Sequence, residues 1–310
     1  MQVWRRAYGH KMDPNNDHQL RDVIFTKLKI TPNGYTDKGN PSVAASDLED
    51  LDEITTAAQI GRFRQLTTAL NKLKEVLREQ VDGVVHPSFG LNLVKTYRGQ
   101  CKAPNWQNLA ARNPEMARIV RRAAIPRKGH QFGEFDYSIQ EVRVGCCNHK
   151  DPVLIAYVND PSTDMHRDAA MRLYGLRTDQ MKKPIRDGGK SKFVFPQFYG
   201  SDFEQCTIGL WRWAKKCQLN DGTPLIDHLA SQGITEPGKV VYDRLAHKKK
   251  AEPGTFSERV QQVEDWLWNK QFKVYRDWKW KVWDEYLKKG YLDHLTGFRE
   301  TGLYSKNDVT

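Results

Sequence analysis

Residues 51–79 set the strongest limit on what this chain can fold into. Ile54, Ala58, Ile60, Phe63, Leu66, Leu70, Leu73 and Leu77 recur at helical spacing, which predicts one long amphipathic helix whose apolar stripe must lie across other elements. Asp82-Gly83 breaks the run. Upstream, Asn15-Asn16-Asp17 can cap a short helix over 15–30 with an apolar stripe of Leu20, Val23, Ile24, Leu28 and Ile30. A Gly/Pro/Asn-rich loop follows from Thr31 to Ser42. Beyond the long helix the pattern switches. Val84 to Phe89 and Gln131 to Val144 read as strands, the second alternating and then continuously apolar. Pro152–Val158 and Met165–Leu176 read as helices separated by the turn Asn159-Asp160-Pro161-Ser162, and past Gly200 the chain reads as mostly helical. His247-Lys248-Lys249-Lys250, before Pro253-Gly254, reads as an exposed loop.

The 310 residues suffice for one large domain or a few subdomains sharing cores. With 39% hydrophobic and 28% charged residues the balance is that of an ordinary globular protein. No uninterrupted apolar run approaches the ~20 residues a bilayer demands, and Met-Gln-Val-Trp-Arg-Arg has no apolar stretch behind it. The net charge of +11 suits a polyanion, because each phosphate neutralised by Lys or Arg releases a condensed counterion; a merely basic enzyme would show the same surplus. Five cysteines, an odd number without a CxxC pair, argue for a reducing, cytosolic setting, with Cys146-Cys147 as small core residues.

Asp136 follows Gly133-Glu134-Phe135 at the expected mouth of the second strand. A carboxylate there is placed to hold a hard divalent cation, since Mg²⁺ takes one or two carboxylates plus substrate phosphates. An isolated aspartate at a strand end more often caps a turn. The residues around it decide between the two readings.

Asp136-Tyr137-Ser138-Ile139-Gln140-Glu141 resembles the Asp-Tyr-Ser-Gln-Ile-Glu motif of family A (DNA polymerase I-like) DNA polymerases, with Ile139 and Gln140 interchanged. The resemblance implies a metal site at Asp136 and Tyr137 for two Mg²⁺ ions, and a Glu141 that packs under the incoming sugar and obstructs a 2′-hydroxyl. Single-subunit RNA polymerases lack an acid at that place, so Glu141 favours DNA synthesis. Upstream, Asp82 to Phe89 resembles the segment entering the palm after the thumb. Thr96-Tyr97-Arg98 and Pro104-Asn105-Trp106-Gln107-Asn108 resemble the family's Thr-x-Arg and Pro-Asn-Leu-Gln-Asn elements. These imply DNA contacts at Arg98, Gln107 and Asn108; loop polar groups satisfying nearby backbone are the alternative. Asp164-Met165-His166 resembles Asp-Ile-His, which implies a triphosphate contact at His166.

Arg186, Lys190, Phe195, Tyr199 and Gly200 resemble the fingers pattern Arg-x3-Lys-x3-Phe/Tyr-x3-Tyr-Gly. Residues four apart share a helix face. An Arg and a Lys there clamp phosphate oxygens and offset charge on the leaving group, while Phe195, Tyr199 and Gly200 meet sugar and base. This copy departs from the pattern. Lys190 to Tyr199 is nine residues (199 − 190), one more than two helical steps, and Gly188-Gly189 and Pro196 disfavour a regular helix. Either a one-residue bulge absorbs the excess or a kink re-aims the lysine, with Lys192 as the weaker substitute. From Trp266 to Tyr286 the aromatics are interleaved with lysines and arginines; nucleic-acid stacking is conceivable there, but the spacing of Trp268, Phe272, Tyr275 and Trp283 favours core packing.

Two-metal chemistry needs more than one carboxylate, and the family's second comes from a His-Asp-Glu motif that does not occur in this sequence. The last residues, Leu292 to Arg299 and Ser305 to Thr310, resemble the segment before the family's Asn-x-Pro-Ile-Gln-Gly helix. The expectation is an α+β, right-hand polymerase fold with a partial thumb over 1–83, the first part of the palm with an incomplete sheet over 84–180, and mostly helical fingers over 181–310. Its implied partners are primer–template DNA, dNTPs and a second polypeptide carrying the missing palm segment, with no membrane. Its expected setting is the cytoplasm of a bacterial or phage-infected cell. The competing readings are a non-catalytic primer–template-binding remnant and, disfavoured by Glu141, a single-subunit RNA polymerase.

Overall fold

A computed structural model describes residues 13–32, 35–36, 39–44, 48, 55–91, 93–94, 98–109, 114–133, 135, 137–244, 247–295 and 297–305. The chain divides into two compact units, Met1–Glu134 and Phe135–Thr310.

In the first unit the Asn16 side chain accepts the backbone N–H groups of His18 and Gln19, capping α1 (Asp17–Arg21), which runs on as one turn of π-helix over Asp22–Lys27. Leu20, Val23 and Ile24 are buried with Val43, Leu48 and Ile60. Ile60 belongs to α2 (Thr55–Glu79), the expected long helix. Arg64 on α2 donates to the carbonyls of Pro14 and Val43 and pairs with Asp17 at 2.7 Å, so one guanidinium pins the N-terminal segment to the helix. The stripe is only partly buried: Ile60 is covered, whereas Leu66, Leu70 and Leu77 are exposed. Asp82 (φ 49°) and Gly83 (φ 77°) form the two-residue turn of a hairpin between β1 (Gln80–Val81) and β2 (Val84–Val85). The strand expected over 84–89 is thus split, because β3 (Ser88–Gly90) pairs instead with β4 (Gln100–Lys102). Met116 and Val120 of α3 (Pro114–Arg121) pack with Ala69 of α2, and Arg62 pairs with Glu115 across the two helices.

In the second unit residues 140–144 form not a strand but the start of α4 (Gln140–His149), and no strand is found at the described residues of 131–139. Ile139 sits in the left-handed region (φ 46°) and turns the chain into the helix. Val142, Cys146 and His149 then share its inner face, while Val144 and Cys147 are exposed, so only one of the paired cysteines is a core residue. With only Val142 and Val144 apolar, so short a stretch fits either structure until its partners are known. All five cysteines are free thiols.

The next helices match the expected ones. Asp151 caps α5 (Pro152–Asn159), with Pro152 in the first turn, and Asp164 caps α6 (Met165–Tyr174), which ends at Gly175 (φ 63°). Then come α7 (Lys183–Gly189), a π-helical turn at Lys190–Val194, and α8 (Phe195–Phe198), followed by α9 (Phe203–Ala214), α10 (Leu225–Ser231) and α11 (Phe256–Asp265). A π-helical turn at Trp266–Gln271 leads into α12 (Lys273–Lys289). The core of this unit gathers Leu173, Tyr174, Ile185, Phe193, Leu210 and Phe256. Lys248 lies not in a loop but in β6 (Lys248–Ala251), paired with β5 (Val240–Asp243). The last strand pair is β7 (Leu292–Asp293) with β8 (Arg299–Glu300).

The aromatic stretch is mostly core. Phe272 and Tyr275 are buried in the core of this unit, Trp266, Trp268 and Trp278 pack against that core, and Trp283 stacks on Tyr286. Asp151, itself buried, accepts Val153 and Leu154 N–H with one oxygen and Tyr275 N–H with the other, which locks the start of α5 to the first turn of α12. Among the described residues the sheets are four antiparallel pairs beside many helices, an α+β architecture. No described helix is long and apolar enough to cross a membrane.

Candidate functional site

Gly188 and Gly189 stand where three helices come closest. A Cβ at Gly189 would lie 2.7 Å from the His166 carbonyl oxygen and 2.8 Å from Ala170 Cβ, both on α6, and one at Gly188 would lie 2.5 Å from Trp213 Nε1 on α9. The glycine pair therefore does not break the helix; it lets α7 run against α6 and α9. The extra residue between Lys190 and Tyr199 is taken up by the π-helical turn Lys190–Val194, a one-residue widening of the kind the spacing required.

That geometry brings four of the expected residues together. Arg186 Nε donates to Asp164 Oδ2 at 2.6 Å, while Asp164 Oδ1 accepts the N–H groups of His166 and Arg167 as the cap of α6. His166 is buried and meets the Phe195 ring edge-to-face at 5.6 Å. Lys190 Nζ lies 5.1 Å from the same ring. Burial, reinforced by the positive charges of Arg186 and Lys190, pushes the His166 imidazole down to about 4, so it is neutral at pH 7. Its Nδ1 is buried without a hydrogen-bond partner. Burial pushes the Asp164 carboxyl up, but its hydrogen bond from Arg186 outweighs this together with the Arg167 N–H, and the net shift is downward.

Tyr199 and Glu141 form a second contact, the phenol donating to Glu141 Oε1 at 3.5 Å from the first turn of α4. Gly200 follows at φ 87°. Two residues before Tyr199, Gln197 is buried and accepts the indole N–H of Trp268 at 2.6 Å. Beside it lies Glu264, whose Oε2 is buried without a partner and whose carboxyl burial pushes up to about 7. For two of these participants the sequence reading assigned no role. Asp164 had a signal, an aspartate at the cap position two residues before His166. Glu264 had none, because its neighbours are 60 or more positions away.

The other expected residues fall elsewhere. Asp136 lies outside the described residues, and its neighbours Phe135 and Tyr137 are exposed. The strand at whose mouth it was expected is absent among the described residues; helix α4 follows instead. Among the described residues no three His, Cys, Asp or Glu side chains converge as metal ligands. In the first unit Gln107 and Asn108 are exposed on a 3₁₀ turn, Trp106–Asn108, beside β3–β4, and Arg98 is exposed just before β4. The Asn105 N–H donates to Glu75 of α2 at 2.9 Å, which anchors that turn.

The family model of DNA polymerase family A matches residues 2–207. DNA polymerase I of Rhizobium leguminosarum is 30% identical over 192 residues, covering 59% of this chain and 18% of that protein. The thermostable DNA polymerase I of Thermus aquaticus is 30% identical over 208 residues, covering 64% of this chain and 24% of that protein. The chain thus spans less than a quarter of the length of these relatives. The solved POL domain of Pol1 from M. smegmatis, in complex with DNA primer-template and dNTP, superposes with a TM-score of 0.68 at 21% identity, covering 97% of this chain and 45% of that one. The fold is therefore that of a right-hand polymerase domain.

Proposed function

The chain belongs to DNA polymerase family A, and we propose that it takes part in template-directed DNA synthesis, with its second unit gripping the incoming dNTP. The carrying observation is the convergence of Arg186, Lys190 and Phe195, from the run α7 to α8, with His166 of α6. Two cations within reach of one another attract a triphosphate, and a planar guanidinium grips phosphate oxygens in pairs. Arg186 is held by Asp164, so the triphosphate competes with that carboxylate for the guanidinium. Neutral His166 can offer a hydrogen bond without adding charge, and its unpartnered Nδ1 supports such a role. Tyr199, exposed and touching Glu141, is suited to meet the sugar and the nascent pair. Gln107, Asn108 and Arg98 are proposed as primer–template contacts.

The reading takes in thumb, palm and fingers over 1–83, 84–180 and 181–310. It also takes in two Mg²⁺ ions at Asp136 and Tyr137, which when bound would draw charge from the attacking and leaving oxygens. The described residues make no such centre by themselves. His-Asp-Glu is absent from these 310 residues, so on this reading the second carboxylate is supplied from outside them.

Primer extension tests this. The chain alone should extend no primer; adding a palm segment with His-Asp-Glu from a family A relative should restore extension, and Asp136→Ala should abolish it. Robust extension by the chain alone would remove the need for a second polypeptide. Primer–template binding that no complementing segment converts into extension would favour the non-catalytic remnant. Preferential ribonucleotide incorporation would favour an RNA polymerase.

A further inference from the structure

The hairpin β5–β6 lies beyond residue 207, outside the residues the family model matches. Residues 239–252 carry five Lys or Arg against two Asp or Glu. Lys249 turns toward the start of α9, its Nζ 2.6 Å from Asp202 Oδ2 and 2.5 Å from Glu204 Oε2. Asp202 caps α9 and follows Gly200 by two residues, so the ion pair fixes the hairpin beside the turn that carries Tyr199. Side chains alternate along a strand, so Lys248 and Lys250 project to the face opposite Lys249, about 7 Å apart along it. On that face Val241 lies across from Lys250 and Asp243 across from Lys248. Lys248, Lys250 and Val241 are exposed, as is Arg244 just past β5. Tyr242, across from Lys249, is also exposed, at 59%.

We propose that this hairpin holds the unpaired template strand of DNA next to the nucleotide site, with Lys248 and Lys250 on successive phosphates and Tyr242 against a base. The inference rests on the polymerase reading above. A duplex offers phosphates but no open base face. A flexible single strand can pass over the open edge of a two-stranded hairpin and use the lysine face and the aromatic together, which is how single strands are held elsewhere. Lys249, neutralised by two carboxylates, positions the hairpin and is not assigned to DNA.

The test measures affinity of the full chain for a primer–template with about ten unpaired template nucleotides, within the roughly 4–16 that single-strand-binding folds cover. The same duplex with blunt ends is the control, across a range of salt concentrations. Each single-strand phosphate neutralised contributes about −0.7 to the slope of log K against log[salt]. Lys248→Gln/Lys250→Gln should therefore flatten the slope on the overhang by about 1.4, a ~7-fold smaller loss of affinity over a fourfold rise in salt, and leave the blunt duplex unchanged. Tyr242→Ala should weaken overhang binding at least ~5-fold while Tyr242→Phe keeps it. A thermal melt of each variant separates misfolding from lost contacts, and the conservative Tyr242→Phe pair reads stacking even if the double variant is less stable. An unchanged slope, or an equal loss on both substrates, overturns the assignment. Failure of the unsubstituted chain to bind either substrate overturns the polymerase reading, and the hairpin's role with it.

Discussion

Replacing Gly189 by alanine puts a methyl group where α6 and α7 touch. The added Cβ would sit 2.7 Å from the His166 carbonyl oxygen and 2.8 Å from Ala170 Cβ, roughly 0.8 Å inside an unstrained contact of about 3.5 Å. The first of these is backbone and the second is attached directly to it, so no side chain can swing aside and the helices must separate. Overpacking of that kind costs about 1–3 kcal/mol. Alanine recovers about 1 kcal/mol over glycine in a helix interior, which leaves a net loss of up to about 2 kcal/mol. Gly61→Ala is the matched control, because a Cβ at Gly61 in α2 meets nothing within 4 Å. There the propensity gain stands alone, and stability should rise by about 0.5–1 kcal/mol. Urea unfolding followed by far-UV circular dichroism measures both, through the shift in midpoint at constant slope. Because α6 carries His166, dNTP affinity should fall along with the stability of Gly189→Ala. A Gly189→Ala protein stabilised as much as Gly61→Ala would show that the close approach of these helices is not a constraint and would refute the reason given for the glycine pair.

Three further outcomes follow from buried groups. Glu264 has its carboxyl pushed from the ordinary 4.5 up to about 7, so the folded state binds the extra proton between those values and stability falls as pH rises through them; Glu264→Gln should be roughly 2–3 kcal/mol more stable than the parent at pH 8 and no more stable below pH ~4.5, and a pH-independent difference would count against the burial. His166, pushed down from 6.5 to about 4, has the opposite sign. The unfolded chain takes the proton first, so stability should drop by roughly 2–3 kcal/mol as pH falls from ~6.5 to ~4, and His166→Gln should shrink that drop in pH-dependent denaturation. Asp151→Ala removes a helix cap and strands the buried Tyr275 N–H; it should cost about 2–4 kcal/mol by chemical denaturation, and a loss under 1 kcal/mol would mean that the carboxylate bridge is dispensable.

Local chemistry was readable in the sequence wherever it acts within a few residues. Asn16 caps its helix as its residue type and position suggest, the turn at Asn159–Ser162 separates α5 from α6, and the nine-residue step from Lys190 to Tyr199 announced the π-helical turn. What misled was ambiguity that only tertiary partners remove. Residues 141–144 alternate polar and apolar as a strand would, yet Cys146 and His149 supply a buried helical face at the right spacing. The lysine run 248–250 looked like a solvated loop because its cross-strand partners and the Asp202–Glu204 pair that takes up Lys249 are far off in sequence. Gly188-Gly189 read as helix breakers because the approach of Ala170 and Trp213 is invisible without the fold. The contacts of Glu264 with Gln197 and Trp268 with Gln197 join segments about 70 residues apart, beyond any motif.

The central claim is that the second unit selects a dNTP by the template, and it can be tested without the chemical step. A primer ended in a dideoxynucleotide is annealed to a template, bound to the chain, and titrated with each of the four dNTPs while dissociation of the complex is followed by fluorescence anisotropy. The dNTP complementary to the template base should slow dissociation at least ~10-fold more than the other three, and Arg186→Ala should remove that difference, in keeping with the ~1.5–3 kcal/mol of a charged hydrogen bond. Equal effects of all four nucleotides on the unsubstituted chain would contradict the claim.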